Sequence, residues 1–376
     1  MSDHNDCPHR PPCPGCPRFG ESALPAEAWI RLCEIARAAG HREPTVHALP
    51  GRGHRHRARL AVRGKAQNPK IGLFQAGSHR IVHTPDCRVH HPLINEAAAD
   101  IREAIRETGV EPYADRPHRG ALRYLQLVVE RRTDRVQVVL VGCGATPDVL
   151  GDLPQAVERR LGSRLQGLFF NAQPERNNAI LGPEMIRLAG EDTLVESIRG
   201  VEVYFPPGAF GQNHLPLFEL AVQRIADLVP IDSTLAEYYC GVGSIGLSLL
   251  GSAKAIRFNE RSSPALDGLE LGLAAHVHRE RASVFPGTAG DATAALEGAD
   301  IVIVDPPRRG LDNALRAALA DHPPNRLIYL ACGLESLTAD LEELTQPGRL
   351  AIGGIEAFDF FPFTEHVETL VWLDRD

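Results

Sequence analysis

The sequence predicts an α/β protein in two parts. An α+β domain is expected over residues 1–204, and a mostly parallel, Rossmann-like sheet wrapped by helices over 205–376. Three observations predict it. The chain has 376 residues, enough for two ordinary domains, and is 43 % hydrophobic, enough for a core in each. Past residue 205, short apolar runs alternate with helix-length segments, the mark of a parallel sheet. Between the first such run and its helix stand Gly241, Gly243 and Gly246, at the spacing of a dinucleotide-binding turn.

The elements follow in order. Residues 1–20 are rich in cysteine and proline and exclude regular structure. Residues 25–39 read as a helix with Trp29, Leu32, Cys33 and Ile35 inside. Alternating stretches at 58–62, 71–74, 122–129 and 136–141 read as strands, with a helix at 93–108 between the second and third. A helix at 153–161, a strand at 167–171 and a strand-rich stretch to Tyr204 complete the first half. A Pro-Pro-Gly turn within 204–211 marks the break. The second half is expected to run as helix 218–228, strand 234–239, strand 255–258, a helix from Pro264, strand 301–304, a helix from Asn313, strand 326–330, a helix from Leu334 and a last strand at 367–373.

Composition narrows the class. No apolar run reaches the length of a membrane span, and the polar, acidic start of the chain lacks the features of a signal peptide. A cytoplasmic monomer without membrane attachment is the expectation. Eight cysteines in such a chain point to ligands, nucleophiles or core residues rather than disulfides. The net charge of −8 disfavours a general nucleic-acid coat but leaves room for a local basic face. Residues 41–65 supply one: Arg42, Arg52, Arg55, Arg57, Arg59, Arg63 and Lys65, with Glu43 as the lone acid.

Three groups of residues carry chemistry. The glycine turn after 234–239 lets a ligand touch the backbone, and Glu260, at the end of the next strand, suits ribose hydroxyls. NAD would explain these nearly as well as S-adenosylmethionine. Glu237 before the glycines, the large preceding domain and Asp305-Pro-Pro-Arg308 after the fourth strand favour S-adenosylmethionine. Second, Cys332 ends an apolar strand, so it lies on the side of the sheet where α/β ligands bind. Cys240 is its rival, inside the glycine turn. Third, Cys7, Cys13 and Cys16, with Cys87 further on, form a set of four thiols suited to zinc or an iron–sulfur cubane.

From Phe205 onward the chain resembles the RNA 5-methyluridine methyltransferases. The resemblance rests on Phe210-Gly-Gln212-Asn213, Tyr239-Cys-Gly-Val-Gly-Ser244, Asp305-Pro-Pro-Arg-Arg-Gly310, Tyr329-Leu-Ala-Cys332 and Phe361-Pro-Phe-Thr-Glu-His366-Val-Glu368, in the family's order. The first half resembles the branch that methylates 23S ribosomal RNA and carries an N-terminal iron–sulfur cluster. The oligonucleotide-binding barrel that many relatives carry in front is expected to be absent, because the cysteines begin at once.

The resemblance implies a class I methyltransferase domain after an RNA-recognition domain. It implies Cys332 as nucleophile, Glu368 as base and Asp305 on the uracil edge. Gln212, Tyr239, Gly241, Gly243, Ser244, Glu260, Asp291 and Asp305 match the family's cofactor positions. Cys7, Cys13, Cys16 and Cys87 match the ligands of a [4Fe-4S] cluster. The RNA partner is ribosomal RNA first, transfer RNA second. One departure stands out: Ala331-Cys332-Gly333-Leu334 replaces the usual Ser-Cys-Asn-Pro. It supports an alternative, a catalytically impaired iron–sulfur RNA-binding protein.

Overall fold

A computed structural model of the protein describes residues 7–346 and 349–375. The acidic start of the chain lies outside them. The chain forms two compact units. The first comprises residues 7–20, Pro50–Glu196 and Pro206–Gly208; the second comprises Glu21–Leu49, Ser197–Phe205 and 209–375. A single cut between residues 204 and 205 therefore does not describe the chain. The helix Ala26–Ala38 sends Ala28, Leu32 and Ala36 into the same apolar cluster as Leu341, Leu350 and Leu373, and so belongs to the second unit.

The first unit is α+β. Its seven-stranded sheet runs Ile81–His83, Asn68–Phe74, Arg57–Lys65, Leu122–Glu130, Arg135–Gly142, Leu165–Ala172, Glu184–Gly190. All neighbours are antiparallel except Arg135–Gly142 and Leu165–Ala172, a parallel pair with the helix Leu153–Leu161 between them in the chain. The helix Pro92–Thr108 starts where His91 accepts from the Leu93 N–H and Pro92 presets φ. It stops at Gly109, whose φ of 70° suits a helix C-terminus. Its stripe of Ile94, Ala97, Ile101 and Ile105 joins one core with Leu60, Val62, Leu125, Leu127 and Val138 of the sheet.

The second unit is the expected parallel sheet with one reversed strand. The order is Thr45–His47, Leu350–Phe358, Glu368–Arg375, Arg326–Ala331, Ile301–Val304, Thr234–Tyr238, Ala255–Glu260, Ala282–Pro286. Only Glu368–Arg375 is antiparallel to its neighbours. The runs at 301–304 and 326–331 are buried almost throughout, as strands covered on both faces must be. Strand order reverses between Thr234–Tyr238 and Ile301–Val304, which opens a crevice at their carboxyl ends. Because the last strand is reversed, its first residue lies at that same edge: Ala331 pairs with Thr369. Among the described residues, no helix is long and apolar enough to cross a membrane.

Candidate active site

The glycine turn is built by backbone requirements. Tyr239, Gly241 and Gly243 have φ of 57°, 59° and 78°, a region costly for most side chains. Gly246 is needed for a different reason: a Cβ there would stand 2.1 Å from Glu237 Oε2 and 2.4 Å from the Phe258 ring. Glu260 braces the turn from the next strand. It accepts from the N–H of Gly241 at 3.0 Å, and from Arg261 and Ser262 at 2.8 and 2.7 Å.

Two clefts flank Tyr239. One is lined by Gln212, Tyr239, Gly241, Ser244 and Asp305, with Glu237 and Phe210 among its other walls. The other is lined by Tyr239, Glu260, Gly287 and Asp312. Six of the eight expected cofactor residues thus border the turn. Gly243 is not in either lining; it packs against Leu269 and Leu247 instead. Asp291 is exposed, its carboxylate accepting from the Thr288 hydroxyl at 2.6 Å, and it too borders neither cleft.

Asp305, Cys332 and Glu368 come from the ends of three strands and lie within electrostatic reach of one another. Burial, then the charges of Glu368 and Asp305, push the Cys332 thiol up to about 11, while Arg308 pulls the other way. Burial pushes Asp305 up to about 7. Glu368 is wholly buried, and neither carboxyl oxygen has a hydrogen-bond partner among the described residues. Burial first and Asp305 second hold it well above the ordinary carboxyl range, against the pull of Arg308. Three acids this close and this buried disfavour one another's ionisation, which favours the protonated form of Glu368 and the thiol form of Cys332.

Cys240 is buried, and burial followed by Glu237 and Glu260 drives its thiol well above the usual value. It lines the first of the two clefts beside Tyr239, whereas Cys332 lines neither and has its Sγ 4.0 Å from the Pro306 carbonyl. The structure also shows a close approach at Gly333, the residue after Cys332. A Cβ there would come within 3.0 Å of the Arg308 carbonyl, so the chain approaches closer than asparagine allows without a shift.

Sequence reasoning missed Asp340. It is almost fully buried and accepts from the Leu311 N–H at 2.9 Å, the Tyr329 hydroxyl at 2.8 Å and Arg316 at 2.9 Å. Tyr239 completes the clamp by accepting from the Asp312 N–H at 2.9 Å. Together they fix the loop that follows Asp305. The available signal was an acid at a core position of a helix whose other inward residues are Leu337, Leu341 and Leu344.

In the first unit, Cys7, Cys13, Cys16 and Cys87 share a neighbourhood. Burial pushes Cys16 up to about 11, and the other three thiols add to the rise against Arg55. Yet among the described residues no group of three or more His, Cys, Asp or Glu side chains is arranged to hold a metal ion. The electrostatic proximity and the absence of a closed ligand set disagree. The donor chemistry fits a thiolate-bound group, and the side-chain arrangement here is not that of a formed site.

The expected basic face is divided as well. Arg55 acts on the cysteines. Arg57 is drawn down to about 10 by burial, with Glu196 opposing. Arg52 stacks 5.8 Å from the Phe19 ring, and Arg59 donates to Gln126 at 2.8 Å.

Comparison with known proteins gives four findings. A family model described as tRNA (uracil-5-)-methyltransferase matches residues 295–376. An uncharacterised RNA methyltransferase of Protochlamydia amoebophila is 33 % identical over 98 % of this chain and 97 % of its own length. One from Gloeobacter violaceus is 30 % identical over 98 % of this chain and 84 % of its own. Among solved structures, the Pyrococcus abyssi tRNA (uracil-54, C5)-methyltransferase in complex with S-adenosyl-L-homocysteine matches with a TM-score of 0.75 at 24 % identity, over 91 % of this chain and 81 % of that one. That last likeness is one of fold.

Proposed function

Because the chain belongs to the RNA uracil-5-methyltransferase family, S-adenosylmethionine-dependent enzymes, we propose that it methylates carbon 5 of a uridine in 23S ribosomal RNA through a covalent adduct on Cys332. The observation that carries this reading is the meeting of Cys332 and Glu368 across the antiparallel pair Ala331–Thr369. A nucleophile and a base from separate strands reach one buried spot, and Asp305 joins that spot to the cofactor cleft.

S-adenosylmethionine, held along the glycine turn, supplies the methyl group. The remaining steps belong to this chain and the uracil. The Cys332 thiolate, favoured by Arg308, adds to carbon 6, and the ring electrons move to the oxygen on carbon 4. Carbon 5 then takes the methyl group. Glu368, having given its resting proton to solvent, then takes the carbon-5 proton as a carboxylate and becomes the neutral acid again, while the C–S bond breaks to restore the double bond and release the thiolate. Its raised affinity for protons makes it a stronger base than an ordinary carboxylate. The oxygens of Glu368 without partners are free to meet the ring.

Glu260→Ala is expected to weaken S-adenosylmethionine binding by about 1–3 kcal/mol, the cost of leaving bound hydroxyls unpaired. Calorimetry checks it, with NAD as a ligand that should not bind. Unchanged affinity would remove Glu260 from the cofactor site.

We also propose that Cys7, Cys13, Cys16 and Cys87 hold a [4Fe-4S] cluster that ties the start of the chain to the first unit. Their electrostatic proximity and the resemblance to the cluster-bearing branch support it. Protein purified without oxygen should be brown and carry about four irons per chain. Colourless protein with one zinc would overturn the cluster and leave the methyltransferase reading intact.

A second reading, transfer RNA as substrate, is favoured by the description of the matching family model and the name of the solved relative. Mapping 5-methyluridine in 23S ribosomal and transfer RNA from a deletion strain decides between them. Loss of one residue from 23S RNA is the expected result. Loss from transfer RNA alone supports the second reading, and no loss from either supports an inactive RNA-binding protein.

A further inference from the structure

The sheet of the first unit carries its two long helices on one face, against Leu60, Val62 and Leu125. The other face is differently made. Arg59 pairs with Gln126, Ala61 with Tyr124, and Ala61 with Gly72, so these residues share that face. Above it lies an open cavity of about 630 Å³, within the range of small-ligand sites. Its floor is small, Ala61 and Gly72. Its walls include Phe74, Tyr124, Arg59 and Arg123.

The rings are held in place from behind. The Arg63 guanidinium lies 5.1 Å from the Phe74 ring centre, 5.6 Å from Tyr113 and 5.2 Å from Tyr124. It is locked by two bonds of 3.1 Å to Asp115 and by bonds of 2.9 Å to the carbonyls of Val62 and Arg123. Arg63 thus organises the aromatics and has little left for a ligand.

Two donors nearby are buried and unused. Arg123 Nε has no partner among the described residues, although its Nη1 donates to the carbonyls of Gln173 and Glu175 at 2.7 Å each. Gln126 Nε2 is likewise without a partner, while its oxygen accepts from Arg59. Both side chains are 4 % exposed. Unmet buried donors are costly, and Arg123, which lines the cavity, offers its unused donor to a ligand with acceptors on a flat ring. Preformed aromatic faces, amide groups and fixed guanidinium donors match the chemistry of an unstacked nucleobase. The acid Asp115 on the wall, and the commitment of Arg63 to it, make a site for phosphate alone a poorer match.

We propose that this cavity receives one unpaired nucleobase of the RNA, distinct from the uridine that reaches Cys332, and so contributes to recognition of the substrate. The inference rests on the reading that RNA is the substrate. Recognition here would be by stacking on Phe74 or Tyr124 and by hydrogen bonds from Arg123 to the base edge.

The test uses the full-length protein and 5′-fluorescein-labelled pentaribonucleotides of A, C and U, followed by anisotropy. Ala76→Trp, at an exposed position on the rim, fills the cavity without removing a donor or a charge. Phe74→Leu removes a stacking face and keeps an apolar group. At least one pentamer should bind, and its affinity should fall tenfold or more in both variants. S-adenosylmethionine affinity, measured by calorimetry, should not change. Absence of pentamer binding by the unaltered protein, or unchanged pentamer affinity in Ala76→Trp, overturns the proposal. Methylation of total RNA by the unaltered protein is measured alongside. If it yields 5-methyluridine while Ala76→Trp binds normally, only the cavity proposal fails. If pentamer binding depends on the cavity but no uridine is methylated, the enzymatic reading fails and the cavity stands.

Discussion

Cys332→Ala should lose methyl transfer to RNA while keeping its affinity for S-adenosylmethionine. Carbon 5 of uracil is a poor nucleophile until a thiolate has added to carbon 6, so the loss should be on the order of 10⁴-fold or more, as for other lost nucleophiles. The fold should survive. Cys332 is half-buried, and the one hydrogen-bond contact of its sulfur among the described residues is a long one, 4.0 Å to the Pro306 carbonyl. It lines neither cleft beside Tyr239, so cofactor binding is a clean control. Radiolabelled methyl incorporation and calorimetry on the same preparation check both halves. Methylation persisting in Cys332→Ala would move attention to Cys240, the other thiol at this edge of the sheet.

Glu368→Gln should do two opposite things. It should add to the ring and accept the methyl group, then stall, because an amide cannot take the carbon-5 proton. Protein should stay bound to RNA through denaturing electrophoresis. The same variant should be more stable than the parent. Burial makes Glu368 hold its proton in the folded state well above the ordinary carboxyl range, whereas the unfolded chain loses it within that range. Over that interval the unfolded state binds fewer protons, so stability falls as pH rises, by up to about 1.4 kcal/mol per pH unit. Glutamine has no such dependence. The gain in Tm over the parent should therefore be small at pH 5 and grow through pH 7. A Tm difference that stays flat with pH would mean Glu368 is ionised in the free protein. Normal turnover with no trapped RNA would remove it from the mechanism.

Much of this site was legible because its chemistry sits where strands end. The run Ile301–Val304 is apolar throughout and stops at Asp305; Arg326–Ala331 stops at Cys332. A reader of the sequence can place both at one edge of a parallel sheet. Glu368 was harder, since it begins its strand, and only the reversal of that strand brings it there.

Other elements left too little trace. Thr45–His47 has three residues, and its partner, Leu350–Phe358, is more than 300 residues away. Within Leu350–Phe358, Gly353-Gly354 reads as a turn. In the fold the glycines make room for Trp372, whose ring a Cβ on Gly354 would meet at 2.0 Å. Ala282–Pro286 is a half-exposed edge strand and carries no buried run. The division of the chain was misplaced for a related reason. Whether an amphipathic helix such as Ala26–Ala38 packs with the sheet before or after it in sequence is decided by tertiary contacts, and periodicity does not record them. The basic stretch shows the same limit: charge can be counted in a sequence, but Arg57 and Arg63 are committed to partners inside the first unit.

The central claim is that Cys332 bonds to the uracil ring before the methyl group arrives and stays bound until carbon 5 loses its proton. RNA in which uridine is replaced by 5-fluorouridine tests it most directly, because fluorine on carbon 5 cannot be removed as a proton and the adduct persists. The protein, incubated with that RNA and S-adenosylmethionine, should give a complex that survives denaturation. After digestion, mass spectrometry should find the Cys332 peptide carrying a fluorouridine nucleotide plus one methyl group. A modified peptide containing Cys240, an adduct without the methyl group, or no covalent complex with RNA that the protein otherwise methylates would contradict the account.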